Sequence, residues 1–225
     1  MAPLLAIDCS ASLCAACVYD AQAERELGRS VLDLGKGHAE HLMAVIAEAL
    51  KNAGLAYRAL GAIAVSVGPG SFTGVRVGVS TARGLALALK IPATGITTLE
   101  ALAGETQERF PHTPVLVALD GGRDEIHAAL YDRSMIVRYG PAVATLPQMV
   151  EMAVREAPVL AGTQAAGIAE AAGGAFDFGP LGATADIAAY ARLAAARGPG
   201  EKPHPLYLRA ADAKPQAGFV LPRVS

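Results

Sequence analysis

Two periods of hydrophobic patterning alternate along this chain. Leu4-Leu5-Ala6-Ile7 is a short apolar run closed by Asp8, and after a polar turn a second run ends in Tyr19-Asp20. Runs of this length between turn residues read as strands. Arg25–Leu34 reads as a third, edge-like strand. The period then changes. Leu42, Val45, Ile46, Ala49 and Leu50 recur at i, i+3, i+4, i+7 and i+8, which predicts an amphipathic helix over His38–Lys51 with Gly54 as its stop. A strand at Ala62–Val67, a helix over Gly74–Lys90 ended by Pro92, a short strand at Ala93–Ile96 and a helix over Leu99–Arg109 complete the first half. Pro111 and Pro114 mark a break. Beyond it the pattern predicts strands at Val115–Asp120, Glu125–Asp132 and Met135–Tyr139, then a helix over Pro147–Glu156. A strand at Pro158–Gly162 and helices over Gln164–Ala172 and Thr184–Arg197 follow. The end of the tail, Gly218–Ser225, is expected to be loose.

The two halves resemble each other. Shifted along itself by 112 residues, the chain lays Leu4, Ala6, Asp8, Ala16, Tyr19 and Asp20 onto Leu116, Ala118, Asp120, Ala128, Tyr131 and Asp132 without a gap. Alanine matches carry little weight in an alanine-rich chain, but the aspartate and the Tyr-Asp pair carry more. Each copy is a strand, a turn and a second strand, so the expected organisation is two related lobes, 1–110 and 111–225, the second a smaller lobe followed by a Pro/Gly-rich tail.

Composition narrows the function classes. The 225 residues carry a formal net charge of −2, which gives no general footprint for strong, unaided nucleic-acid binding. No apolar run approaches the roughly 20 residues of a membrane span. The start of the chain also lacks the pattern of a secretory leader, so a cytoplasmic protein is expected. Cys9, Cys14 and Cys17 fall within the first hairpin. Cys14 and Cys17 have redox or zinc spacing, but residues three apart on a strand face opposite ways. Buried thiols are therefore expected.

Candidate chemistry centres on Gly68-Pro69-Gly70-Ser71-Phe72-Thr73-Gly74-Val75-Arg76, between a strand and a helix. Backbone N–H groups and the helix dipole converge there, as in anion cradles. Asp8, Ser10, Gly68, Gly70, Ser71 and Thr73 are the candidate phosphate or nucleotide contacts. The loop has no Walker A lysine, and the dinucleotide fingerprint fails at Thr73. A tight turn capped by Ser71 or Thr73 explains it equally well. Gly70→Val should disrupt it through positive φ and close approach, whereas Ser71→Ala should be mild. Asp8 and Asp120 end matching strands, where they could hold magnesium and phosphate or simply cap turns.

Two lobes that each begin βββαβα have the architecture of the actin, sugar-kinase and Hsp70 (ASKHA) superfamily, an α/β fold. Within it the chain resembles the TsaB (YeaZ) family. The resemblance lies in Leu5–Ser10, Gly37–Leu42, the glycine-rich loop, Gly95–Leu102 and Pro205–Arg209. It implies an accessory subunit without catalytic residues or a metal of its own, required for threonylcarbamoylation of the adenosine beside the tRNA anticodon. It further implies a heterodimer with the TsaD transferase, a larger complex with TsaE, a homodimer when alone, and tRNA contact only through the complex. ATP or ADP would belong to the complex. Where TsaD carries histidine metal ligands, this sequence has Thr98 and Leu102, neither a plausible ligand.

The resemblance also marks a partner surface on two helices: His38, His41, Leu42, Val45 and Ile46 on one, and Arg76, Val79, Arg83 and Leu87 on the other. Gly74, Gly78 and Ala82 add a flat strip for close approach. Two other function classes remain. One is an active phosphotransferase using Asp8, Asp120 and the glycine-rich cradle. The other is a metallopeptidase on His38 and His41, although i, i+3 is not the His-Glu-x-x-His spacing.

Overall fold

The computed structural model describes residues 2–198 and 200–208. The tail segment Gly218–Ser225 and Arg209 of the last family motif lie outside them. The first half builds β1 (Leu4–Asp8), β2 (Leu13–Asp20), β3 (Arg25–Asp33), α1 (His38–Asn52), β4 (Ala62–Ser66), α2 (Phe72–Leu89), β5 (Ala93–Ile96) and α3 (Thr98–Arg109). The second half builds β6 (Val115–Gly122), β7 (Glu125–Tyr131), β8 (Val137–Ala144), α4 (Leu146–Glu156), β9 (Val159–Ala161), α5 (Ala165–Ala172) and α6 (Ile187–Arg197). The sheets run β3-β2-β1-β4-β5 and β8-β7-β6-β9. In both, the first three strands are antiparallel and the crossover strand pairs parallel with the first. Beside β9, the bridge between Leu160 and Phe178 occupies the place β5 holds in the first sheet.

Three apolar clusters hold five layers together. α1 and α2 cover the outer face of the first sheet around Leu5, Ile7, Ile63 and Val65. α4 and α5 cover the outer face of the second around Leu116, Leu130 and Leu160. Between the sheets lies a shared core with Leu4, Tyr19, Val117 and Tyr131, into which α3 brings Leu99 and Leu102 and α6 brings Tyr190. The middle helices exchange places. α6 packs on β1 and β2 of the first sheet, and α3 packs on β6 of the second.

The sequence duplication is visible in the turns. Asp8 Oδ1 accepts from the Ser10 N–H at 2.9 Å, and Asp120 Oδ1 accepts from the Gly122 N–H at 2.8 Å. Asp20 and Asp132 likewise cap the turns after the second strands, accepting from the N–H groups of Gln22 and Ser134. Side-chain carboxylates closing their own turns explain why aspartate stands at all four positions.

The gapless overlay fails in one respect. β1 pairs Leu4 with Tyr19, whereas β6 pairs Val115, not Leu116, with Tyr131. A register shift between Asp120 and Gly122 absorbs the difference. Because a one-residue slip exchanges strand faces, Leu4 and Ala6 point into the shared core while Leu116 and Ala118 point outward.

Candidate functional site

That slip decides what the two aspartates can do. Asp8 continues the inward face of β1 and is 1% exposed, while Asp120 is exposed. The expected pair across an open cleft is not formed. Asp8 Oδ2 instead accepts from the Thr184 hydroxyl at 2.7 Å, and Thr184 also lies 2.7 Å from the Tyr190 hydroxyl. Ser10 Oγ completes this cluster at 3.5 Å from Thr184. Nearby, Ser66 and Thr98 pair at 3.3 Å. Burial, and next the Asp8 charge, push the Tyr190 phenol above its ordinary range. Asp8 is therefore the centre of an internal latch that fastens the segment before α6 to the end of β1. No sequence signal announced it, since the partners stand 176 positions apart.

The glycine-rich loop is docked on the same turn. Ser71 N–H donates to the Ser10 carbonyl at 2.7 Å, and Thr98 N–H donates to the Gly68 carbonyl at 2.8 Å. A Cβ on Gly70 would overlap the Ser10 carbonyl oxygen, and one on Gly74 would overlap that of Cys9. The positive φ anticipated at Gly70 belongs to Gly68, at 88°; at Gly70 close approach alone requires glycine. Ser71 caps α2, its Oγ accepting from Gly74 N–H at 3.2 Å, while Thr73 is exposed within the helix. Ser71→Ala is thus expected to cost about 1 kcal/mol, measurable as a shift of the denaturation midpoint with no change of slope. A nucleotide in the inter-lobe cleft does not fit these residues: Asp8 is sealed, Asp120 faces away, and the loop is seated against Ser10.

The thiols lie where strand alternation puts them. Cys14 joins the outer cluster and Cys17 the shared core, on opposite faces of β2. Cys9 Sγ and Cys14 Sγ are 3.9 Å apart, and that contact together with burial raises the Cys9 thiol. Burial pushes Cys17 up to about 12 from 9.0. Tyr131, like Tyr190, is raised above 10.0, first by burial. Cys14 is lowered by the contact that raises Cys9, so the effect rests on Cys17, Tyr131 and Tyr190, where the native state keeps protons that the unfolded chain releases above about pH 9–10. The contribution of these groups to stability is complete below that range and falls as pH rises, by up to about 1.4 kcal/mol per pH unit for each group. Urea unfolding between pH 8 and 11 should show this decline; a flat profile would contradict it.

The apolar half of the expected partner surface is corrected. Leu42, Val45 and Ile46 are 0–1% exposed and Val79 is 2% exposed, all in the cluster beneath α1 and α2. The amphipathic stripe that predicted a helix is the stripe that buries it. Exposing the three α1 side chains would forfeit about 5–9 kcal/mol. The Gly74, Gly78 and Ala82 strip is buried too, with Gly78 against Val65 of this chain's own sheet. His41, Arg76, Arg83 and Leu87 remain outside. His38 is buried, and its Nε2 has no hydrogen-bond partner among the described residues. Thr98 and Leu102, at the places of the expected metal ligands, are fully buried. Among the described residues no group of three His, Cys, Asp or Glu could hold a metal ion.

An unforeseen cluster sits at the start of α2. The Arg76 guanidinium lies 3.6 Å from the Phe72 ring centroid, and its Nε donates to the Tyr207 hydroxyl at 2.7 Å. Phe72 and Tyr207 are 59% and 51% exposed. Another set of contacts joins the lobes: Arg29 on β3 pairs with Glu26 and with Asp186, the N-cap of α6. Burial opposes ionisation of Asp186, but Arg29 and the Ala188 N–H outweigh it and hold the carboxyl below its usual range.

These features define a two-lobed α/β protein with a duplicated βββαβα architecture, whose inter-lobe carboxylate is closed by its own side chains. The family model for TsaD, tRNA N6-adenosine threonylcarbamoyltransferase, matches residues 33–200. YeaZ from Pseudomonas aeruginosa superposes with a TM-score of 0.71 at 31% identity, covering 92% of this chain and 100% of that one. The tRNA threonylcarbamoyladenosine biosynthesis proteins TsaB of Buchnera aphidicola (Schizaphis graminum) and Escherichia coli K12 are 33% and 32% identical. Each alignment takes in 58% of this chain, and they span 61% and 55% of those relatives' own length. The chain belongs to the TsaB (YeaZ) family. Among the described residues no helix is long and apolar enough to cross a membrane.

Proposed function

We propose that this chain serves tRNA threonylcarbamoyladenosine biosynthesis as a non-catalytic accessory subunit that binds the TsaD transferase and holds it in a productive state. The observation that carries the reading is the Asp8–Thr184 latch, in a chain whose relatives bear the name of that pathway. A phosphotransferase would need Asp8 facing its substrate. Here the carboxylate is buried and its two oxygens accept from Ser10 and Thr184. Any ATP or ADP then belongs at the junction with the partner, and TsaE joins in the larger complex. Without TsaD, the same face pairs with a second copy.

The partner surface is drawn on the outward side of α1 and the first half of α2, around His41, Met43, Phe72 and Arg76, with Tyr207 beside them. Arg and aromatic side chains already ordered against one another have the composition of interface anchors and lose little freedom on binding. Titration calorimetry with TsaD tests this. Phe72→Ala combined with Arg76→Ala should weaken association by about 2 kcal/mol or more, some 30-fold, with an unchanged melting temperature. Unchanged affinity would move the surface elsewhere, and no association of the unaltered chain with TsaD would sink the accessory reading.

A further inference from the structure

A groove of about 640 Å³ runs between the C-terminal half of α2 and the segment 200–203. Its charged lining is Arg83, Lys90 and Lys202; Glu201, between Gly200 and Lys202, lines the neighbouring pocket instead. None of the three forms an ion pair among the described residues, although Arg29, Lys51, Arg155, Arg192 and Arg197 all do. α2 itself carries no acidic residue from Phe72 to Leu89. The helix dipole accounts for one cation at this end, Lys90 at the C-cap. It accounts neither for Arg83, nearly two turns earlier, nor for Lys202 on a separate segment. The walls between the cations are apolar: Leu87, 82% exposed, with Ile91 and Pro92.

Cations gathered without internal counter-charges around an open, partly apolar channel suit a repeated anion with flat, weakly polar units between its charges. We infer that this groove holds the phosphodiester backbone of an RNA strand, with sugar or base faces against Leu87 and Ile91. The inference rests on the reading under Proposed function and supplies it with a direct RNA contact, which that reading lacks. With a net charge of −2 overall, three phosphate contacts give weak binding to the chain alone. They add measurably once the partner supplies the rest.

The test is fluorescence anisotropy with a labelled, unmodified tRNA transcript between 50 and 200 mM salt. It uses the chain alone at the low end and the chain–TsaD complex throughout. Arg83→Gln/Lys90→Gln/Lys202→Gln should weaken binding at least tenfold near 0.1 M salt. It should also flatten the dependence of log affinity on log salt by about 2–3 units, the release expected from three phosphates. Lys90→Arg/Lys202→Arg should retain both, and the triple variant should melt only slightly below the parent, because all three side chains are at the surface and only Lys90 offsets the helix dipole. Equal affinity and slope in the triple variant would overturn the inference. So would displacement of the transcript by inorganic phosphate at the same phosphate concentration, which would make this a small-anion site. Loss of TsaD association in the triple variant would overturn it in favour of an acidic protein surface. If the unaltered chain never associates with TsaD, the accessory reading fails by itself, while the low-salt arm still decides the groove.

Discussion

Gly74→Ala is expected to leave little folded protein. On helix propensity alone the change should help, since alanine is favoured over glycine by about 1 kcal/mol inside a helix. The structure predicts the opposite sign. The new methyl would overlap the Cys9 carbonyl oxygen, a backbone atom in the turn that also carries Asp8 and receives Ser71 N–H. Overpacking against atoms that can yield costs about 1–3 kcal/mol. Here α2 must lift from β1, so the loss should exceed that range and take most of a typical stability of about 5–15 kcal/mol. Circular dichroism melting checks it. A Gly74→Ala protein that melts as high as the parent would show that the loop is not seated on this turn.

Val79→Glu is the second severe case. It should destroy the fold rather than merely release a partner. Val79 is 2% exposed beneath α2, where a carboxylate would find neither water nor a cation of this chain. Unpaired buried charge is among the few single changes that cost 4 kcal/mol or more. Denaturant unfolding of Val79→Glu beside the surface variant Arg76→Ala separates the two roles. The first should be unfolded or nearly so, and the second should keep the parental midpoint. A stable Val79→Glu protein that had lost only TsaD would restore Val79 to the interface.

The contrast shows what periodicity can and cannot tell. The 3.6 period found α1 and α2 within a residue or two because it reports which face a helix buries. It cannot distinguish burial in its own sheet from burial against a partner, and Leu42, Val45, Ile46 and Val79 all went to the sheet. Strands were legible where turn residues bound them, as at Ala93–Ile96. β8 was not: the pattern predicted Met135–Tyr139, yet the strand runs from Val137 through Gly140 and Pro141 to Ala144. It can do so because it lies at the sheet edge, where a missing N–H is tolerated. The duplicated aspartates were legible as turn residues. Their different fates were not, because a single register shift beside Gly121 turned Asp120 outward. The latch on Asp8 and the aromatic clasp on Arg76 join residues more than 130 positions apart. No local pattern encodes such pairs.

Asp8 fastens the segment before α6 to the end of β1, and the proposed role is to support a modification that this chain does not itself perform. The most direct measurement is incorporation of labelled threonine into unmodified tRNA supplied with threonylcarbamoyl-AMP. The reaction is run with the chain alone, with TsaD and TsaE alone, and with all three. No incorporation is expected from the chain alone, and full incorporation only when it joins TsaD and TsaE. Incorporation by the chain alone, or undiminished incorporation without it, would contradict the account.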